Sequence, residues 1–167
     1  MGFRKLNKVI TEGFQLPFYF IHSTEPFFVT LAIEKIKELV PEEQLSFNLH
    51  QFDLSEGEAD FGEIIDSANS PGFFQNSKFI LLLHFERARK KEKEALLEYL
   101  KDPSPTTRLI IFSEKAPEAE IKSLLRSEQF ISLELNQTQL RHWVKSLARQ
   151  KGLDISEQIA DLIITLT

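Results

Sequence analysis

The sequence predicts an α/β fold in which a mostly parallel sheet of five strands lies between two layers of helices. Short apolar runs alternate along the chain with longer segments whose apolar residues recur at helical spacing. Two of these runs, 79–83 and 109–112, contain no polar residue, which is typical of strands buried on both faces of a parallel sheet. The 167 residues are 42% hydrophobic, enough for one core or for one domain and the start of another. Right-handed crossovers between parallel strands then predict a three-layer arrangement.

The first third of the chain predicts two helices and two strands. Residues 1–14 carry apolar side chains at helical spacing and predict a short amphipathic helix. Residues 18–22 predict a buried strand, and a helix follows from Pro26, because proline is tolerated in a first helical turn, as far as Pro41. Residues 45–49 alternate apolar and polar side chains, so we expect a half-buried strand there.

The middle of the chain continues the alternation of helix and strand. The remaining predicted elements are, in order, helix 61–68, strand 79–83, helix 90–101, strand 109–112, helix 117–126 and strand 130–135. With the two earlier strands, these complete the five-stranded sheet.

The pattern changes after Asn136. Two amphipathic helices follow one another with no strand between them, the first closed by Gly152 and the second beginning after Ser156. We therefore expect an α/β domain over 1–136 and the start of a small helical domain over 137–167. The apolar face of the last helix has no predicted partner, so we also expect the native protein to be longer than this chain.

Composition excludes several classes of protein. The longest apolar runs, 16–21 and 79–83, are too short to span a bilayer, and no signal-peptide core follows the N-terminus. The chain has no cysteine, which excludes disulfides and thiolate chemistry and suits a reducing cytoplasm. A net charge of −5 argues against sequence-independent DNA binding, which needs a basic surface. We expect a cytoplasmic protein without a membrane partner.

Catalytic and cofactor motifs are missing from the sequence. A phosphate loop needs glycines and a Lys-Ser/Thr pair, but the turn over 23–28 has neither and contains Glu25 and Pro26 instead. The four histidines are scattered, without the spacing of a metal site, and His22 at the end of the first strand is interpreted as structural. We therefore expect no cofactor, no metal and no intrinsic catalytic activity.

Two adjacent aromatic residues, Phe73 and Phe74, follow a Pro-Gly break and precede the strand at 79–83. Neighbouring side chains in a regular element cannot share one core face, so at least one ring is a candidate for exposure. The alternative is that both rings tuck under the loop. An exposed pair would be a candidate binding site for another protein.

Three stretches of the chain carry a family resemblance, namely 23–27 with 33–36, 99–107 leading into 109–112, and 140–145 through 151–156. Together they resemble the N-terminal part of the delta subunit of the bacterial DNA polymerase III clamp loader. Their order and spacing fit along essentially the whole chain. The weight of the resemblance lies in their combination, since no one of them is as specific as a phosphate loop.

The resemblance implies a degenerate AAA+-type module without an ATP site, then a helical lid-like domain. Members of that family continue into a third domain, which holds the loader subunits together. They belong to a DNA polymerase holoenzyme, do no chemistry themselves, and are expected to meet DNA only as part of the complex. A hydrophobic pair before the third strand enters a pocket on the ring-shaped sliding clamp and helps to open the ring. The matching positions here are Phe73 and Phe74.

The chain departs from the family pattern at two places. Ser23 replaces a common glycine, and 75–77 are less charged than usual, so only Phe73 and Phe74 are carried over as clamp-binding residues. Two alternatives to a clamp-loader subunit stay open at this point. One is a degenerate P-loop NTPase, and the other is a stand-alone α/β protein-interaction module without a role in replication.

Overall fold

The computed structural model describes residues 2–57, 59–74 and 77–166. The chain divides into two compact units, Met1–Leu133 and Glu134–Thr167, which we call the sheet unit and the helical unit. Among the described residues, no helix is both long and apolar enough to cross a membrane.

The sheet unit is built on five parallel strands in the order β2-β3-β4-β1-β5. The strands are β1 (Phe18–His22), β2 (Leu49–Asp53), β3 (Lys78–Leu83), β4 (Thr107–Ser113) and β5 (Phe130–Ser132). The three central strands are buried along almost their whole length, which confirms the predicted α/β class. The sheet is parallel throughout.

Helices cover both faces of this sheet. The sheet unit contains α1 (Gly2–Thr11), α2 (Pro26–Lys37), α3 (Leu45–Asn48), α4 (Phe61–Asn69), α5 (Lys90–Lys101) and α6 (Ala119–Leu124). The helical unit contains α7 (Gln137–Gln150) and α8 (Glu157–Leu166).

Alternate residues of each strand belong to different core layers, because successive side chains of a strand point to opposite faces. Ile80 and Leu82 of β3 pack in one cluster with side chains of α4, α5 and α6. On the other face, the buried Phe14 ring lies edge-on to Tyr19 of β1 and Phe79 of β3, with centroids 5.0 and 5.9 Å apart. This alternation produces the expected three-layer arrangement.

One predicted strand is wrong. Residues 45–48 form a single helical turn, α3, and the strand begins only at Leu49. The alternation of Leu45, Phe47 and Leu49 does not match their burial, because Phe47 is about half exposed whereas the polar Asn48 is completely buried. Hydrogen bonds to a distant loop stabilise the buried Asn48, and no local pattern contains that information.

The last strand and the helix before it are shorter than predicted. β5 ends at Ser132 rather than at residue 135, although the Leu133 amide still donates to the His22 carbonyl over 2.8 Å. The helix predicted over 117–126 covers only Ala119–Leu124. These differences affect the ends of elements and leave the topology unchanged.

Leu82 provides a test of the core. Its side chain is fully buried between β3 and the helices of one face, so Leu82→Ala removes apolar burial and leaves a cavity. We expect a loss of about 2–5 kcal/mol in the free energy of unfolding. Urea titration followed by circular dichroism measures this loss, since the single tryptophan, Trp143, lies in the helical unit.

Gln51→Ala on the exposed side of β2 is the control, with an expected change within about 0.5 kcal/mol. Equal stabilities of the two variants would contradict this account of the core.

Candidate functional site

The loop between α4 and β3 carries the two predicted site residues. Phe73 and Phe74 are 57% and 66% exposed, so neither ring tucks under the loop. The sequence left both arrangements open, and the structure places both rings on the surface. We call the segment 70–74 the aromatic loop.

The helix end that precedes the aromatic loop is held by three side chains from neighbouring elements. The Thr107 hydroxyl donates to the Ala68 carbonyl over 2.7 Å, and the Tyr99 hydroxyl reaches the same oxygen over 3.5 Å. The buried Lys78 ammonium donates to the Ser67 carbonyl, at the helix end that favours a cation. Burial lowers the pKa of Lys78. These bonds fix the start of the aromatic loop against β3, β4 and α5.

Asn48 holds the aromatic loop from the other side. Its Oδ1 accepts a hydrogen bond from the Phe73 amide over 2.8 Å, and its Nδ2 donates to the Phe73 carbonyl over 3.1 Å. The same Nδ2 also donates to Gln44 Oε1 over 3.1 Å. The side-chain amide of Asn48 thus satisfies both backbone groups of one loop residue. Sequence reasoning missed this residue.

Phe74 has a φ of 58°, in the left-handed region that bulky residues rarely adopt. Such a conformation costs about 1–3 kcal/mol and persists where the surrounding structure imposes it. The bonds from Asn48 to the preceding residue supply that constraint. The folded loop therefore determines the backbone conformation from which the Phe74 ring projects.

A third aromatic ring lies beside the pair. Phe47 in α3 is 46% exposed, and its ring centroid is 5.3 Å from that of Phe73 with an interplanar angle of 49°. Sequence reasoning assigned Phe47 to the core face of a strand and so did not consider it for the site.

At the carboxyl ends of the strands, opposite to the aromatic loop, lies a groove of about 310 Å³. Open α/β sheets commonly bind ligands at this end of their strands. Its lining includes Pro26, which lacks an amide proton, the carboxylates of Glu34, Glu86 and Glu114, and Lys37, whose ammonium lies 3.4 Å from Glu34 Oε1. The excess of carboxylates over ammonium groups and the missing amide donor disfavour the binding of a polyphosphate there.

His22 lies at the same end of the strands, and both of its ring nitrogens are engaged. Nδ1 is 3.4 Å from the Ser132 hydroxyl, and Nε2 is 3.2 Å from the Glu114 carbonyl oxygen. Because a carbonyl can only accept, Nε2 carries the proton. These contacts support the structural interpretation of this histidine.

The structure brings together three residues that the sequence did not connect. Potential ligand atoms of His84, Glu86 and Glu114 lie within 4.8 Å of one another. His84 Nδ1 is 2.7 Å from Asp53 Oδ1 and therefore carries the proton of this hydrogen bond. Nε2 is then the ring nitrogen that could serve as a metal ligand. These donor types suit a divalent cation. Glu86 Oε2 accepts a hydrogen bond from the Glu114 amide over 3.0 Å, whereas Glu86 Oε1 is buried and has no hydrogen-bond partner among the described residues.

Asp53 is stabilised in its ionised form. Burial acts to raise the pKa of its carboxyl, but hydrogen bonds from Ser55 and His84 outweigh burial and lower the pKa below its ordinary value. The Ser55 amide and hydroxyl donate over 2.9 and 2.7 Å.

Solved structures with the same fold include three bacterial proteins. The chain resembles the Bacillus subtilis DNA clamp loader delta protein, with a TM-score of 0.74 and 21% identity over 98% of this chain and 52% of that one. A DNA polymerase III gamma subunit-related protein of Thermotoga maritima has a TM-score of 0.59 and 14% identity, over 90% of this chain and 52% of that one. A RuvB variant of Thermotoga maritima has a TM-score of 0.53 and 15% identity, over 96% of this chain and 52% of that one. The chain thus spans about half the length of these proteins.

The strand order and these likenesses define the fold, a five-stranded parallel α/β module of the AAA+-like type. In this chain the turn after β1 lacks a phosphate loop. The profile of the family described as "DNA polymerase III, delta subunit" matches residues 19–150, more than half of the sequence. The chain therefore belongs to the family of DNA polymerase III delta subunits. A search of curated proteins gives no match.

The hydrogen bonds that Asp53 accepts from Ser55 and His84 predict a pH-dependent contribution to stability. Because the folded pKa lies below the value of about 3.9 for an unfolded chain, ionised Asp53 stabilises the fold above about pH 4. That contribution is lost as the pH falls through the folded pKa. We expect Asp53→Asn to reduce stability at pH 7 by about 0.5–1 kcal/mol, since the pair is partly exposed, and the difference from wild type to shrink below pH 4.

Urea unfolding at pH 7, 5 and 3 measures this difference, with the exposed Asp66→Asn as the control. A deficit in Asp53→Asn that stays constant down to pH 3 would contradict the assignment.

Proposed function

We propose that this chain is the clamp-binding part of a clamp-loader delta subunit. In this proposal, Phe73 and Phe74 enter a pocket of the ring-shaped sliding clamp of the replicative polymerase, and binding helps to open the ring for loading onto DNA. Membership of the delta subunit family supports the proposal. The observation that carries it is the exposure of two adjacent rings on a loop held at both ends by hydrogen bonds.

The energetics suit a protein interface. Each ring that is buried in a partner pocket contributes about 1.5–3 kcal/mol from the removal of apolar surface from water. The aromatic loop is already held by Asn48 and by the fixed end of α4, so little entropy is lost on binding. Binding favours ring opening to the extent that the chain binds the open ring more tightly than the closed one.

The remaining features of the proposal concern the whole protein. We propose that 137–167 begin a lid-like domain, and that other loader subunits bind through a further C-terminal domain of the kind found in this family. DNA is contacted only within that complex, in the cytoplasm. The acidic groove at the carboxyl ends of the strands and the missing phosphate loop support a subunit without ATPase activity.

Phe74→Ala tests the proposed contact. We expect the variant to bind the cognate sliding clamp at least about 2 kcal/mol more weakly than the wild-type chain, roughly a thirtyfold loss, because a buried aromatic anchor is removed. Isothermal titration of the purified chain against the clamp measures the affinity.

Phe27→Ala is the matched control, since Phe27 is a similarly exposed phenylalanine, 58% exposed, in the first turn of α2. Its affinity should equal that of the wild type. An unchanged affinity in Phe74→Ala would move the binding site elsewhere, and the absence of wild-type binding would contradict the proposed function.

A further inference from the structure

The aromatic loop lies at the amino ends of the strands, beside a second segment, α3. β2 and β3 are parallel neighbours, with Leu49 opposite Phe79, so the residues that precede the two strands lie side by side. α3 ends immediately before β2, and the aromatic loop lies shortly before β3. The topology therefore brings Phe47 and Asn48 to a loop that lies 25 residues further along the chain.

The exposed rings of Phe47 and Phe73 bring the two segments together in one apolar surface, and the next residue, Phe74, adds a further exposed ring. Phe47 and Phe73 are in contact at a centroid separation of 5.3 Å, and each remains about half exposed. Phe47 itself is held in its turn, because the His50 ring donates to its carbonyl oxygen over 3.0 Å. The surface thus consists of three rings on two segments.

The two sequence segments that carry the three rings contain no charged residue. Residues 44–49 and 67–77 contain no Asp, Glu, Lys or Arg. Depletion of charge around exposed aromatic residues is typical of the core of a protein interface, whereas nucleic acid requires basic side chains. The composition therefore favours an apolar pocket on a protein as the occupant of this surface.

Among the described residues, Asn48 is a fully buried polar side chain whose hydrogen bonds join the two segments. Its amide makes three hydrogen bonds, two to the backbone of Phe73 and one to Gln44. The residue after this anchored backbone is Phe74, in its left-handed conformation. Without Asn48, the Phe73 amide and carbonyl lose these partners, and the conformation of the loop loses its constraint.

We propose that the clamp-binding surface is a preorganised surface of three rings, Phe47, Phe73 and Phe74, and that Asn48 is its positioning residue. This inference rests on the proposed function and adds two residues to it. Phe47 contacts the partner directly, at the rim of the pocket that the other two rings fill. Asn48 contacts no partner and acts by holding Phe73 and Phe74 in the binding conformation beforehand, which reduces the entropy lost on binding.

Phe47→Ala tests the third ring. We expect this variant to bind the cognate clamp about five- to tenfold more weakly than the wild-type chain, less than the loss for Phe74→Ala, because the ring lies at the edge of the surface. Phe27→Ala again serves as the matched control. Wild-type affinity in Phe47→Ala, with Phe74→Ala impaired, would overturn the three-ring surface and leave the proposed function intact.

Asn48→Ala and Asn48→Asp test the positioning residue. Asp keeps an acceptor for the Phe73 amide but loses the donor to the Phe73 carbonyl, so it remains informative if the alanine variant does not fold. We expect each folded variant to bind the clamp about tenfold more weakly. The control is Ile33→Val, which destabilises the core of α2 without contacting the aromatic loop and should keep wild-type affinity.

The outcomes separate the inference from the proposed function. Folded Asn48 variants with lower stability but wild-type affinity would assign Asn48 a structural role only and overturn its positioning role. Equal weakening in Ile33→Val would do the same, because stability alone would then explain the loss. Failure of the wild-type chain to bind the clamp would contradict the proposed function itself.

Discussion

The need to bury both faces of a five-stranded parallel sheet is the constraint on which the rest of the structure depends. β3 and β4 carry uninterrupted apolar runs, so no face of the central sheet can be left to water. Helices α4, α5 and α6 supply side chains to one core layer, and Phe14 packs in the other. Because all strands run the same way, every connection must return from the carboxyl end of one strand to the amino end of the next. The sheet therefore has two functionally distinct sides, one at the carboxyl ends of its strands and one at their amino ends.

The two ends of the strands carry residues of different chemistry. The carboxyl ends, where α/β proteins commonly bind ligands, carry Pro26 and several carboxylates and hold His22 in hydrogen bonds to its neighbours. The amino ends of β2 and β3 present an uncharged aromatic surface on a loop anchored by Asn48. This contrast supports the proposal that the chain binds another protein at the amino ends of the strands.

Strong local patterns made most of the fold predictable. The runs at 79–83 and 109–112 indicated buried strands, and the sequence break before 73–74 indicated two candidate site residues. Asn48 was not predictable, because its burial depends on a partner 25 residues away, and the alternation of apolar residues gave no sign that 45–48 form a helical turn. Phe47 was missed as a consequence of that error. The left-handed conformation of Phe74 has no signal in a single sequence, since phenylalanine does not favour it.

Site-specific photocrosslinking would test the central claim most directly. Benzoylphenylalanine is placed singly at positions 47, 74 and 27 of this chain, and each purified protein is irradiated with the cognate sliding clamp. The account predicts crosslinks to the clamp from positions 47 and 74 and none above background from 27. Crosslinking from 27 alone, or equal crosslinking from all three positions, would contradict a clamp-binding surface formed by the aromatic loop and α3.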